Sequence, residues 1–218
     1  MKKKILAIVL SLAILTTLVS CNVFFHAPPI ETTLGDQPTT GMDAQNSPKE
    51  IWEKLQELSQ QKYNKVKLNI KTVTGDIELN ANYTLSNTNV TYLVEQLNLL
   101  PSNGDMTNVS PNAKTTLSGS AIIKNGRVEK IDGKTVTIPS YNELRGVFNF
   151  EESNFKNVKM EKGKLTADVS SVFGFMGTSQ NLRNMKIVVT YSDTALQKLE
   201  ITYNTTNSTV TTVYEFTK

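Results

Sequence analysis

The stretch KVKLNIKTVTGDIELNANYTL, residues 65–85, decides the fold class. Val66, Leu68 and Ile70 alternate with Lys65, Lys67, Asn69 and Lys71, and a period of two puts successive side chains on opposite faces of an extended strand. Thr74-Gly75-Asp76 reads as a turn, after which Ile77, Leu79, Ala81, Tyr83 and Leu85 alternate with polar residues. An apolar face and a solvated face repeated across a short turn mark an antiparallel hairpin buried on one side. Ser86-Asn87-Thr88-Asn89 makes the next turn before Val90, Tyr92 and Val94. The hairpin therefore grows into a meander.

Downstream the same grammar continues. Residues 101–114, with Pro101, Gly104, Pro111 and several Asn, read as a loop. Leu117, Ala121 and Ile123 lead to Asn125-Gly126, a strong hairpin signal, from which Val128 and Ile131 return. Asp132-Gly133 is a further turn before Val136 and Ile138. Ser140 with Glu143 forms a capping box that opens a short helix over residues 141–147. Phe155, Val158 and Met160 then pair across Glu161-Lys162-Gly163 with Leu165, Ala167 and Val169. Three further strands, 185–191, 196–203 and 209–216, close the chain.

Upstream, Ser47-Pro48-Lys49-Glu50 is another capping box, with Pro48 at the first helical position. Ile51, Leu55 and Leu58 recur at helical spacing with Trp52 on the flank and Glu53, Lys54 and Glu57 opposite, which predicts an amphipathic helix ending near Gln61. Residues 47–218 thus form a single β-rich domain of the α+β class, predominantly antiparallel β, led by an amphipathic helix.

The first 46 residues belong to another regime. Lys2, Lys3 and Lys4 precede an apolar run from Ile5 to about Leu18, too short for a transmembrane helix of about 20 apolar residues. Leu18-Val19-Ser20-Cys21, carrying the only cysteine, resembles the lipobox of bacterial lipoproteins. That resemblance implies a signal peptide over residues 1–20, cleavage before Cys21 and a thioether-linked diacylglycerol on its sulfur. An unpaired thiol or an intermolecular disulfide is the alternative for a lone exported cysteine, and neither explains the position after Leu-Val-Ser. Two acyl chains anchor stably where one does not, since each buried methylene contributes roughly 0.8 kcal/mol.

Residues 21–46 are rich in Pro, Thr, Gly, Asp and Gln and read as a lipidated flexible tether with a span of roughly 25–30 Å. Phe24 and Phe25 are either exposed linker residues or dip into the membrane interface. The expected product is exported and lipid-anchored to the cell membrane or outer membrane, facing away from the cytoplasm.

Loss of residues 1–20 removes three of the 23 basic residues and leaves 20 against 20 acidic ones. A neutral body without a basic stripe argues against a nucleic-acid partner. His26, the only histidine, lies in the tether, so a Ser-His-Asp triad, a Cys-His dyad and a His-based zinc site are excluded from the domain. No Asp-x-Asp-x-Asp-Gly calcium run occurs. No metal, cofactor or catalytic residue is expected, and an enzyme is disfavoured. Glu151-Glu152 reads as a solvated pair in preference to an acid and base of glycoside cleavage. Lys65, Lys67 and Lys71 either lie on a solvated outer face or meet anionic surfaces. Val172-Phe173-Gly174-Phe175-Met176-Gly177 sets large apolar residues beside glycines in a polar stretch, and reads either as a core plug or as a mobile apolar loop bordering a ligand.

An amphipathic helix, a long antiparallel meander and three closing strands look like the half-barrel of LolA/LppX-type lipoprotein carriers. The residues that carry this are Ile51, Leu55 and Leu58 together with the strands around Ile187-Val188-Val189, Leu199-Glu200-Ile201 and Tyr214-Glu215-Phe216. The resemblance implies a curved sheet or half-barrel packed on the helix, its concave face (Val66, Leu68, Ile70, Ile77, Leu79, Tyr83) lining a cavity for acyl chains; the loop reading of residues 172–177 separately adds Phe173 and Phe175 at a ligand-accessible border. The expected function is binding or carrying a lipid or other apolar ligand in the cell envelope. The alternative is a structural lipoprotein that contacts another envelope protein. An apolar cavity of about 300 Å³ or more suits the carrier, and a filled interior suits the scaffold.

Overall fold

Ser47 opens α1 (Pro48–Gln60) with both halves of a capping box: its hydroxyl accepts from the Glu50 amide at 3.4 Å, and its own amide donates to Glu50 Oε2 at 2.8 Å. In this computed structural model the described residues are 47–75, 77–86, 89–98, 114–124, 127–130, 139, 141–178 and 180–218. The signal peptide, Cys21, His26, the tether, the Asn125-Gly126 and Asp132-Gly133 turns, the strand expected at Val136 and Ile138, Ser140 and nearly all of the 101–114 loop lie outside them. Helix α1 stops where Gln61 turns extended. Its Trp52, Leu55, Leu58 and Ser59 are buried.

Ten strands follow in one antiparallel sheet: β1 (Lys65–Thr74), β2 (Ile77–Leu85), β3 (Asn89–Asn98), β4 (Lys114–Lys124), β5 (Arg127–Lys130), β6 (Phe155–Glu161), β7 (Lys164–Val169), β8 (Arg183–Tyr191), β9 (Leu196–Asn204) and β10 (Thr209–Thr217). Their spatial order is β5-β4-β3-β2-β1-β10-β9-β8-β7-β6. The chain starts at the centre, meanders to one edge, crosses to the other edge and meanders back. Among the described residues β5 and β6 are each paired on one side only, so the sheet does not close.

The register keeps the apolar positions in phase across the whole sheet. Tyr92 lies opposite Tyr83, Tyr83 opposite Leu68, Leu68 opposite Tyr214, Tyr214 opposite Leu199, Leu199 opposite Val189 and Val189 opposite Leu165. A slip of one residue in any of these strands would turn its buried set outward. On the opposite face Lys67 meets Glu215 at 3.7 Å, Lys71 meets Glu78 at 2.8 Å and Asn69 Nδ2 donates to Asn82 Oδ1 at 2.7 Å. Two of the three lysines noted on β1 thus face carboxylates of neighbouring strands, in cross-strand pairs that contribute about 0.2–1 kcal/mol each.

The crossover carries α2 (Tyr141–Arg145), which touches β1 and β2, and then Phe148 and Phe150, both buried. Gly146 sits at φ +67°, and a Cβ there would fall 2.8 Å from Tyr214 Cδ1. Only glycine meets both constraints. A 3-10 turn (Glu152–Asn154) leads into β6, whose register shifts between Lys156 and Lys159. A bulge and lysines on an edge strand blunt it against pairing with another chain.

Of the two readings of Val172–Gly177, Phe175 fits the core plug and Phe173 stays exposed, and Val172–Met176 forms a helical turn, α3. Ser171 caps it by accepting from the Gly174 amide at 2.9 Å, and Gly177 ends it at φ +68°. Gly174 is required by close approach, since a Cβ at that position would collide with the Asn154 carboxamide. Asn154 is buried, and its carbonyl accepts from the amides of Ser170 at 2.8 Å and Ser171 at 3.3 Å. Both glycines therefore have structural assignments without any appeal to mobility.

Candidate functional site

Lys49, Trp52, Glu53 and Gln56 are spaced so that they share one face of α1. Two hydrogen bonds bring the crossover alongside that helix: the Phe150 amide donates to Gln56 Oε1 at 2.6 Å, and the Ser59 hydroxyl donates to the Phe148 carbonyl at 3.3 Å. Between the two segments lies a groove of about 570 Å³, lined by Lys49, Trp52, Glu53 and Gln56 from the helix and by Asn149, Phe150, Glu151 and Glu152 from the crossover. It is an open surface groove, unlike the enclosed, mostly apolar pockets that bury most of a small ligand.

Trp52 and Phe150 reach the groove only by their edges, at 4% and 1% exposed, and are fixed from behind. Trp52 stacks on Phe155 with ring centroids 4.7 Å apart and planes 12° apart. Phe150 and Phe155 both meet the edge of Phe175, at 5.6 and 5.3 Å. The rim is charged: Lys49 reaches Glu53 at 3.8 Å, while Glu151 and Glu152 are exposed and their carboxylates have no hydrogen-bond or ion-pair partner among the described residues. One cation thus faces three carboxylates around the opening.

Val66, Leu68, Ile70, Leu79 and Tyr83, expected to line a cavity, are buried in one apolar cluster with Leu55, Leu58, Phe148 and Phe150. Ile77, from the same expectation, is exposed. Phe175 is 1% exposed and stacks on Phe148 at 5.0 Å, whereas Phe173, two residues earlier, is 63% exposed. The sheet residues and Phe175 are therefore brought together, and Phe173 stands apart from them. Alternation and helical periodicity do not single out Gln56, Asn149 or Phe150. The helical 49, 52, 53, 56 spacing stands out only once the groove is known, and it covers the α1 half.

The covered face of the sheet also carries phenols. Burial raises the hydroxyl of Tyr203 to about 12, with a hydrogen bond to Thr212 opposing the rise and the Glu143 carboxylate adding to it. Tyr83 and Tyr214 are pushed up further, again first by burial and then by Glu143. All three are neutral in the physiological range, so they supply hydroxyl groups rather than charge. Tyr63 acts as a structural tie. Its hydroxyl donates to the Leu58 carbonyl at 3.0 Å and accepts from the Leu196 amide at 2.8 Å, joining the end of α1 to the start of β9.

Among the described residues no three His, Cys, Asp or Glu side chains group to hold a metal ion, and no helix is long and apolar enough to cross a membrane. Compared with known proteins, the chain matches no family model and no curated protein sequence.

Proposed function

We propose that this chain is an exported lipoprotein, held to a membrane by a diacylglyceryl group on Cys21, whose β-rich domain binds an apolar ligand without transforming it. The observation that supports the binding reading is the groove of about 570 Å³ between α1 and the crossover, where the edges of Trp52 and Phe150 come to the surface. Trp52 and Phe150 belong to an apolar reservoir that also includes Val66, Leu68, Ile70, Leu79, Tyr83 and Phe175. A long ligand reaches that reservoir when α1 and the 148–154 segment part, with the sheet as a half-barrel of the LolA/LppX kind and Phe173 at its mouth. A second reading, docking of an envelope protein, is favoured by the exposure of Phe173.

Native mass spectrometry of the mature protein, extracted gently from its host's membranes, tests the first reading. The expected result is a noncovalent apolar mass in addition to the covalent acyl anchor. A protein that carries no such mass and binds no fluorescent lipid saturably would leave the partner-docking reading in its place. For the anchor, Cys21→Ala is expected to leave uncleaved precursor and empty the lipid-anchored pool; wild-type protein with Met1 intact and no acyl mass would contradict it.

A further inference from the structure

We propose that α3 is a membrane contact: the end of the sheet where the tether joins the domain rests on the bilayer that holds the anchor, with Phe173 entering its interface. The placement rests on the lipid anchor at Cys21. Two contacts fix which end this is. Trp52, in the first turns of α1, stacks on Phe155, which pairs with Val169 at the close of β7. Just past the other end of α1, the Tyr63 hydroxyl accepts from the Leu196 amide at the start of β9, and β9 runs parallel to β7 because each is antiparallel to β8. Helix α1 therefore runs from the end of the sheet where β7 finishes to the end where β7 begins. The tether, which meets α1 at Ser47, and α3, which follows β7 directly, share one end of the domain.

That end presents an apolar tip on a fixed turn. Phe173 is the most exposed large apolar side chain among the described residues, while Phe175 in the same turn is buried. The Ser171 cap, the close approach of Gly174 to Asn154 and the left-handed Gly177 hold the turn in one conformation, so Phe173 gives up little freedom on contact. Val172 and Met176 flank it, both half-buried. Reach selects this end over the other. Strands of nine or ten residues are about 30 Å long, and the tether spans roughly 25–30 Å, so the α3 end meets the bilayer within the ordinary span and the far end does not. Tethering also raises the effective concentration of the contact, so one aromatic side chain suffices where free protein would not bind. Near the tether Glu50, Glu53, Glu151 and Glu152 outnumber Lys49 and Arg183, which directs the contact to headgroups without net charge. Anionic lipid weakens it by like-charge repulsion.

The test uses the mature lipidated chain in phosphatidylcholine vesicles that contain a headgroup-spin-labelled lipid. Cys21 is the only cysteine and is acylated, so Asn181→Cys, shortly after α3, and Lys162→Cys, at the far end, each take a single thiol-directed fluorophore; both positions are exposed. Quenching is expected to be stronger at position 181 than at 162. Phe173→Ser is expected to lower the ratio of docked to undocked domain about tenfold, near the lower end of what burying a Phe contributes, with the melting temperature unchanged. Added phosphatidylglycerol is expected to reduce quenching at 181. Equal quenching at the two positions, stronger quenching at 162 on either lipid, or quenching at 181 that survives Phe173→Ser overturns the contact and leaves the anchor standing. Labelling of the wild-type chain at Cys21, with no acyl mass, sinks the anchor and the contact together.

Discussion

The sheet face beneath the crossover is lined by apolar side chains, whereas the groove beside α1 is lined mostly by charged and amide side chains, and the two also differ in what lies over them. On the face, Leu68, Tyr83 and Tyr214 meet a second layer that includes Leu55, Leu58 and Phe148, and the whole forms one continuous cluster. At the groove, Trp52 and Phe150 are part of that same cluster, 4% and 1% exposed and packed on Phe155 and Phe175, and only their edges border the opening of about 570 Å³ ringed by charge. Apolar composition therefore marks the face as core, and charge marks the groove. What separates them is the second layer, and a polar rim marks where that layer stops.

The comparison breaks most visibly at Phe175. Truncating a buried Phe typically costs about 3–5 kcal/mol, so Phe175→Ala is expected to unfold the domain at a far lower denaturant concentration, with Leu55→Ala close behind at about 2–5 kcal/mol. An unchanged midpoint for either would mean that the second layer is not packed.

A smaller effect comes from pH. Tyr203 has its hydroxyl raised from 10.0 to about 12 in the fold. A raised value means that the unfolded chain releases the proton first, so this contribution to stability is complete below about pH 10 and is lost as pH climbs towards about 12. Over that window Tyr203 alone accounts for about 2–3 kcal/mol, and Tyr83 and Tyr214 shift in the same direction. Denaturant midpoints across this range should fall for the wild type and fall less steeply for Tyr203→Phe; a flat profile would place the phenols in water.

Smaller again is Gly174→Ala, whose new methyl group must displace the Asn154 carboxamide, at a cost of about 1–3 kcal/mol. Tolerance of this change in thermal melts would show that α3 is loosely seated. The smallest effect belongs to Phe173→Ser, which is expected to leave stability within about 0.5 kcal/mol, as for other surface positions. Set beside Phe175→Ala, it measures how sharply covered and open surface divide within a single helical turn.

Much of the sheet was legible from local pattern. Alternation in residues 65–71 and 77–85 marks β1 and β2, and the three closing strands follow from the same period. Ser47 and Glu50 announce α1 because a cap is a matter of three residues. The pairing of β1 with β10 was not legible, since it joins Val66 to Phe216 across nearly the whole domain and depends on both apolar faces being in phase. Nor was α3, where Gly174 reads locally as a breaker and acts through contact with Asn154. The groove was hidden for the same reason. Glu151 and Glu152 look like solvated acids in the chain, and only the Phe150–Gln56 hydrogen bond sets them opposite Lys49 and Trp52.

Trp52 makes the central claim directly measurable, because it is the only tryptophan and lines the groove. A brominated fatty-chain ligand, titrated below its micelle threshold, quenches tryptophan only on near contact. The expected result is saturable quenching that follows the same binding curve as calorimetry. Saturable binding with Trp52 unquenched would put the ligand elsewhere and contradict the assignment of the groove as the binding site.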